Sequence, residues 1–91
     1  MGMSRQFYKD PADQLDYVID WAAWLGADTI SASTWTAPTG ITKAAESNTT
    51  TRATVWVSGG TAGASYTLTN RIVTAGGRTA ERSIRITVQD L

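Results

Sequence analysis

Over the last third of the chain, apolar side chains fall at every second position. In residues 83–89, Ile84, Ile86 and Val88 lie on one side and Arg85 and Thr87 on the other. In residues 65–73, Tyr66, Leu68, Asn70 and Ile72 share a side in the same way. A period of two belongs to a strand with one buried face; an amphipathic helix repeats at three and four. Between the two runs stands Thr74-Ala75-Gly76-Gly77-Arg78, and paired glycines supply the positive φ angles of a tight hairpin turn. The C-terminal region is therefore expected to be a β-hairpin.

The same period recurs upstream. Residues 52–58 alternate around Val55 and Val57, are rich in β-branched side chains, and stop at Gly59-Gly60. Residues 29–36 form a further strand pattern, ended by Pro38 and Gly40, and residues 41–45 a short one before the polar turn Ser47-Asn48-Thr49-Thr50. Leu15, Tyr17, Ile19 and Trp21 alternate after a turn at residues 10–13, where Asp10-Pro11 also fits a helix start. Turn signals every 8–12 residues predict an all-β fold, a small immunoglobulin-like β-sandwich of about seven antiparallel strands. Gly63-Ala64-Ser65-Tyr66 has the form of the tyrosine corner of such sandwiches, in which a Tyr early in a strand hydrogen-bonds to the preceding turn. At 91 residues, with about two-thirds of the surface buried on folding, one core is expected. Residues 1–9 read as a flexible N-terminal arm and residues 10–91 as a single domain. The polar N-terminus does not read as a secretory signal, and no apolar run approaches the ~20 residues that span a bilayer.

Chemistry is harder to find. Histidine and cysteine are both absent, so the usual acid–base group, thiolate nucleophiles, disulfides and the commonest metal ligands are missing. Asp10, Asp13, Asp16 and Asp20 lack the alternate oxygen ligands, glycine and terminal glutamate of a calcium loop. On a strand Asp16 and Asp20 lie ~13 Å apart, too far for paired glycosidase carboxylates at ~5–9.5 Å. Gly59-Gly60-Thr61-Ala62-Gly63 lacks the lysine of a phosphate-binding loop and reads as a turn. No enzyme, no metal and no cofactor are expected.

Charge and aromatics point to surfaces instead. The net charge is zero, yet residues 1–46 carry six acidic and three basic side chains, and residues 47–91 two acidic and five basic. The simplest expectation is that the two halves are two sheets whose rims pair within one molecule; the alternative is attraction between copies. No basic stripe with interleaved aromatics appears, so neither nucleic acid nor membrane is an expected partner. If Val55 and Val57 face inward, Trp56 faces outward, and Trp21 and Trp24 cannot share one strand face. Trp24 and Trp56 are thus candidate partner-interface residues, together with Arg71, Arg78 and Arg82 of the basic half.

A set of motifs also carries a resemblance. It consists of Asp10-Pro11, Leu15-Asp16-Tyr17 with Asp20-Trp21, Asp28-Thr29-Ile30 with Ser33-Thr34-Trp35, Val55-Trp56-Val57-Ser58-Gly59-Gly60-Thr61-Ala62-Gly63, Thr69-Asn70-Arg71-Ile72-Val73-Thr74 and Gly77-Arg78-Thr79-Ala80-Glu81-Arg82-Ser83. The set resembles small virion proteins of tailed bacteriophages and prophages of the fibre–tail adaptor type and spans nearly all of residues 8–90. The resemblance implies a structural protein made in the host bacterial cytoplasm and built into the virion tail or neck. There it would bind other phage structural proteins (tail, neck or fibre components) and copies of itself in a multi-copy assembly. Capsid decoration or head–tail connection is the alternative within that resemblance. A carbohydrate-binding module is the alternative outside it, since outward indoles stack on sugars.

Overall fold

The structure, a computed structural model, describes residues 5–91. Its elements are β1 (Arg5–Lys9), β2 (Leu15–Asp20), α1 (Ala22–Leu25), β3 (Ile30–Thr36), β4 (Ile41–Asn48), β5 (Arg52–Gly59), β6 (Ser65–Thr74) and β7 (Thr79–Val88). They form a four-stranded sheet, β1-β7-β6-β3, facing a three-stranded sheet, β2-β5-β4. This is a small all-β sandwich with the strand order of an immunoglobulin-like domain whose first strand has joined the sheet of the last.

The inward positions of the alternating runs supply the core. Val55, Val57, Leu68, Ile72, Ile84, Ile86 and Val88 are fully or almost fully buried, with Trp35 on the third strand, where immunoglobulin-like domains place a core tryptophan. The tyrosine corner is present: the Tyr66 hydroxyl accepts a hydrogen bond from the Thr61 N–H at 3.0 Å. Beside it, a Cβ on Gly60 would lie 2.7 Å from Val88 Cγ2, so this turn needs a residue without a side chain.

Four expectations change. Residues 5–9 are a paired strand, not a loose arm; residues 1–4 of that arm lie outside the described residues. β1 runs parallel to β7, so the strands are not all antiparallel. Its alternation is disguised because Phe7 shares the inward side with a lysine. Lys9 is fully buried, and its ammonium donates to the carbonyls of Asp10 at 2.8 Å and Gly59 at 2.7 Å. Next, β2 ends at Asp20, and the chain turns into the short α1, which keeps Trp21 inward while re-aiming Trp24. Finally, the charge halves are not the two sheets. Strands from the first half (β1, β3) and the second (β6, β7) share one sheet, because the chain crosses between layers after β1, β2, β3 and β5. Rim pairing nevertheless occurs, as Arg52 lies 3.6 Å from Asp20 and Arg78 3.1 Å from Asp28.

The expected turn glycines divide their roles. Only Gly77 of the pair has a positive φ, 88°. Gly76 is needed for space, since a Cβ there would lie 2.9 Å from Asp28 Oδ2.

Candidate functional site

Three of the five candidate interface residues meet at one end of the sandwich. The β2–β3 connection, the β4–β5 turn and the β6–β7 hairpin are tied together there. Trp21 and Ile30 donate backbone N–H groups to the carbonyls of Thr51 and Thr50, and Ala75 donates to Thr29. On this base Asp28 acts as a hub. Its Oδ1 accepts from the N–H groups of Thr29 at 2.8 Å and Gly76 at 2.9 Å, and its Oδ2 from Arg78 Nε at 3.1 Å. The Thr74 hydroxyl first, then these donors, hold the carboxyl down at about 2, outweighing the opposing effect of desolvation. The Asp28 side chain is only 13% exposed.

Arg78 completes the end. Its guanidinium donates to the Leu25 carbonyl at 2.9 Å and lies 4.2 Å from the ring centre of Trp24. Trp24 meets Trp21 edge-on at 5.5 Å, and Arg82 lies 4.4 Å over the other side of that pair, on Trp21. Beneath, Trp21 Nε1 donates to buried Asn70 Oδ1 at 2.9 Å, and Asn70 Nδ2 donates to Ser33 Oγ and the Thr34 carbonyl. Arg78 thus engages Trp24, Arg82 engages Trp21, and the two indoles join the pairs. Their arrangement fixes the loops of this end more than it offers open side chains.

Trp56 and Arg71 lie elsewhere, on opposite faces. Trp56 faces outward from the middle strand of the three-stranded sheet with 39% of its surface exposed, while Val55 and Val57 beside it are completely buried. Asp16 of β2 is its direct partner on one side and Ala45 of β4 on the other. Val18, 38% exposed, sits diagonally across. The face therefore has an apolar centre with one flank left low by alanine. Arg71 faces outward from the four-stranded sheet between Thr34 and Glu81. Around it the surface is hydroxyl-rich, with Ser65 bonded to Thr87 and Thr69 to Ser83 across β6 and β7.

Sequence reasoning missed Asp28, Asn70 and the pairing of Asp16 with Trp56. Asp28 sits two residues before β3, and its motif Asp28-Thr29-Ile30 carried no sign of the turns it joins. Asn70 occupied an inward position, and a buried amide in an apolar series is itself a signal of an obligatory hydrogen-bond partner.

Among the described residues no three metal-ligating side chains gather in one place. No helix of the structure is long and apolar enough to cross a membrane. Instead, the molecule presents two sheet faces and a loop end held by arginine–tryptophan contacts.

No curated protein matches the chain. Residues 9–87 match the Gp77 family, described as the podophage GP4 fiber-tail adaptor protein gp77. The match runs from the end of β1 nearly to the end of β7 and includes Trp24, Trp56, Arg71, Arg78 and Arg82. The chain belongs to this family of phage fiber–tail adaptors.

Proposed function

We propose that this protein is a structural joint of the virion tail that attaches fibres to the tail by protein–protein contact and transforms no substrate. The observation that carries the reading is the family match over residues 9–87, almost the whole sandwich. The side-chain inventory supports it. A chain without histidine or cysteine has poor means of nucleophilic or acid–base catalysis, whereas a surface tryptophan is an efficient interface anchor. The outer face of the three-stranded sheet, centred on Trp56, serves as a contact surface in the assembled tail. The partners are other tail and fibre components and further copies of the chain.

Deleting the coding sequence and imaging the released particles tests this. The expected result is tails without fibres, restored by supplying the protein in trans, with the chain present in purified wild-type particles by mass spectrometry. Fully fibred, infectious particles that lack the chain would remove the proposal.

A further inference from the structure

At the loop end, one arginine is held by two groups at once. Arg78 stacks on Trp24 at 4.2 Å while its Nε donates to the Asp28 carboxylate at 3.1 Å. Arg82 repeats the stacking half of that arrangement on Trp21 at 4.4 Å. An indole face and a carboxylate side by side form a receptor for a guanidinium, since the planar cation stacks on one and bonds the other.

The same two groups appear together a second time, on the surface. Asp16 and Trp56 are directly opposed on β2 and β5, which places their Cβ atoms ~4.5–5.5 Å apart on one face. Both are exposed. Ala45 on the far side of Trp56 is too short to cover the indole. The nearby cation Arg52 is directed to Asp20 instead, at 3.6 Å. Among the described residues no basic group lies within ion-pair distance of Asp16 or stacks on Trp56.

The opposite face of the molecule carries the complement. Arg85 is exposed on β7 with Gln6 of β1 and Thr67 of β6 as its cross-strand neighbours, both uncharged. Arg71, by contrast, stands opposite Glu81. Tyr8, 57% exposed, lies diagonally from Arg85 and adds apolar area to meet Val18. Two faces of one neutral molecule thus hold an unoccupied acidic–aromatic pair and an arginine without an acidic neighbour.

We infer that Asp16 and Trp56 form an arginine receptor on the three-stranded sheet, and that its occupant is Arg85 of a second copy of the chain. The inference rests on the adaptor reading for its multi-copy setting. The contact is heterologous, because each copy offers the receptor on one face and the arginine on the other, so copies join head to tail. A face of three strands spaced ~4.8 Å and about seven residues long covers only ~300–350 Å². That is well below the ~800 Å² per partner of a stable complex. The contact is therefore weak in dilute solution and forms where the tail holds copies close together.

The test uses two charge reversals, Asp16→Arg and Arg85→Glu, in the full chain. Each is checked for an unchanged circular-dichroism spectrum and followed by sedimentation from 20 µM to about 1 mM at low salt. Wild type is expected to associate progressively, and more weakly at high salt. Each variant alone is expected to associate at least ~10-fold more weakly. An equimolar mixture retains one intact receptor and one intact arginine, and the two reversed positions are also opposite in sign, so it is expected to regain association that neither variant shows alone. Trp56→Thr, which removes the stacking surface and keeps every charge, is expected to weaken association as well.

A wild-type chain that stays monomeric at about 1 mM overturns the inference. So does association unaffected by either reversal, or a mixture no better than its components. If wild-type copies stay unassociated, or associate regardless of the reversals, while fibre attachment in particles still depends on Asp16 and Trp56, a different protein occupies the receptor. The second-copy assignment then falls and the adaptor reading stands.

Discussion

Replacing Trp56 by alanine separates a core role from a contact role, because the side chain is divided between the two. A tryptophan carries about 250 Å² of burial capacity. With 39% exposed, about 100 Å² faces solvent. Covering that area with a partner contributes about 2.5 kcal/mol at ~25 cal/mol/Å², which is the scale of an interface hot spot. The remaining ~150 Å² already packs within the sheet, setting an upper bound near 3–4 kcal/mol on the stability lost. Contacts retained by alanine and residual burial in the unfolded chain reduce this to about 1–3 kcal/mol. Against a total of about 5–14 kcal/mol for a domain of this size, the variant remains folded. Urea denaturation measures the first quantity. The second is read by co-expressing wild type and variant in infected cells and comparing their ratio in purified particles. A deficit of about 2 kcal/mol corresponds to roughly 30-fold under-representation. Equal incorporation of variant and wild type would refute the argument, whatever the change in stability.

Asn70→Leu is expected to lower stability by about 2–4 kcal/mol, because it strands the buried Trp21 N–H and the Thr34 carbonyl. Adding Trp21→Phe should recover part of that loss, and a thermal double-mutant cycle with no coupling would contradict the network. Asp28 is held near pKa 2 against an ordinary 3.8, so its contribution is complete above pH 3.8 and disappears as pH falls through about 2. The melting temperature should fall with acid across that interval in wild type, and Asp28→Asn should lack that component. Glu46 accepts from the Trp35 N–H, and Lys43 donates to the Trp35 carbonyl. The double change Lys43→Val with Glu46→Val should therefore leave an open β3 edge and raise aggregation, scored by light scattering at fixed concentration.

Strand identity was legible wherever one face is uniformly apolar, as in β5, β6 and β7. Trp56 could be assigned outward from Val55 and Val57 alone, because successive strand residues must alternate. β1 was illegible for the opposite reason. Its inward set contains Lys9, whose long stem packs like a hydrophobe while two carbonyls satisfy the ammonium. The end of β2 was hidden because Trp21 continues the inward series after the strand has stopped, in the turn that leads into α1. The candidate site was half visible. Residue type marked Trp24, Arg78 and Arg82, but the stacking of Arg78 on Trp24 and of Arg82 on Trp21 depends on bringing residues more than fifty positions apart to one end. Asp16 looked like a solvated carboxylate until strand register set it beside Trp56, and register is a property of pairing, not of either segment alone.

These placements also bear on how such a joint connects. A sandwich has edges, faces and loop ends, and edges attract any extended chain through free backbone groups. Here the β3 edge is blocked where Glu46 and Lys43 take up both backbone polar groups of Trp35, and by the Thr50 carbonyl at Ile30. On the other side Phe7 of β1 packs on Tyr17 of β2 with ring centres 4.8 Å apart, closing the gap between the sheets. At the loop end Arg78 stacks on Trp24 and Arg82 on Trp21. The two sheet faces offer contact surfaces, one bearing Trp56 beside Asp16 and the other Arg85 among hydroxyls. Face contacts have defined register and limited area, so they are specific without being strong one at a time. In the proposed joint, strength would come from the number of copies held together rather than from any single contact.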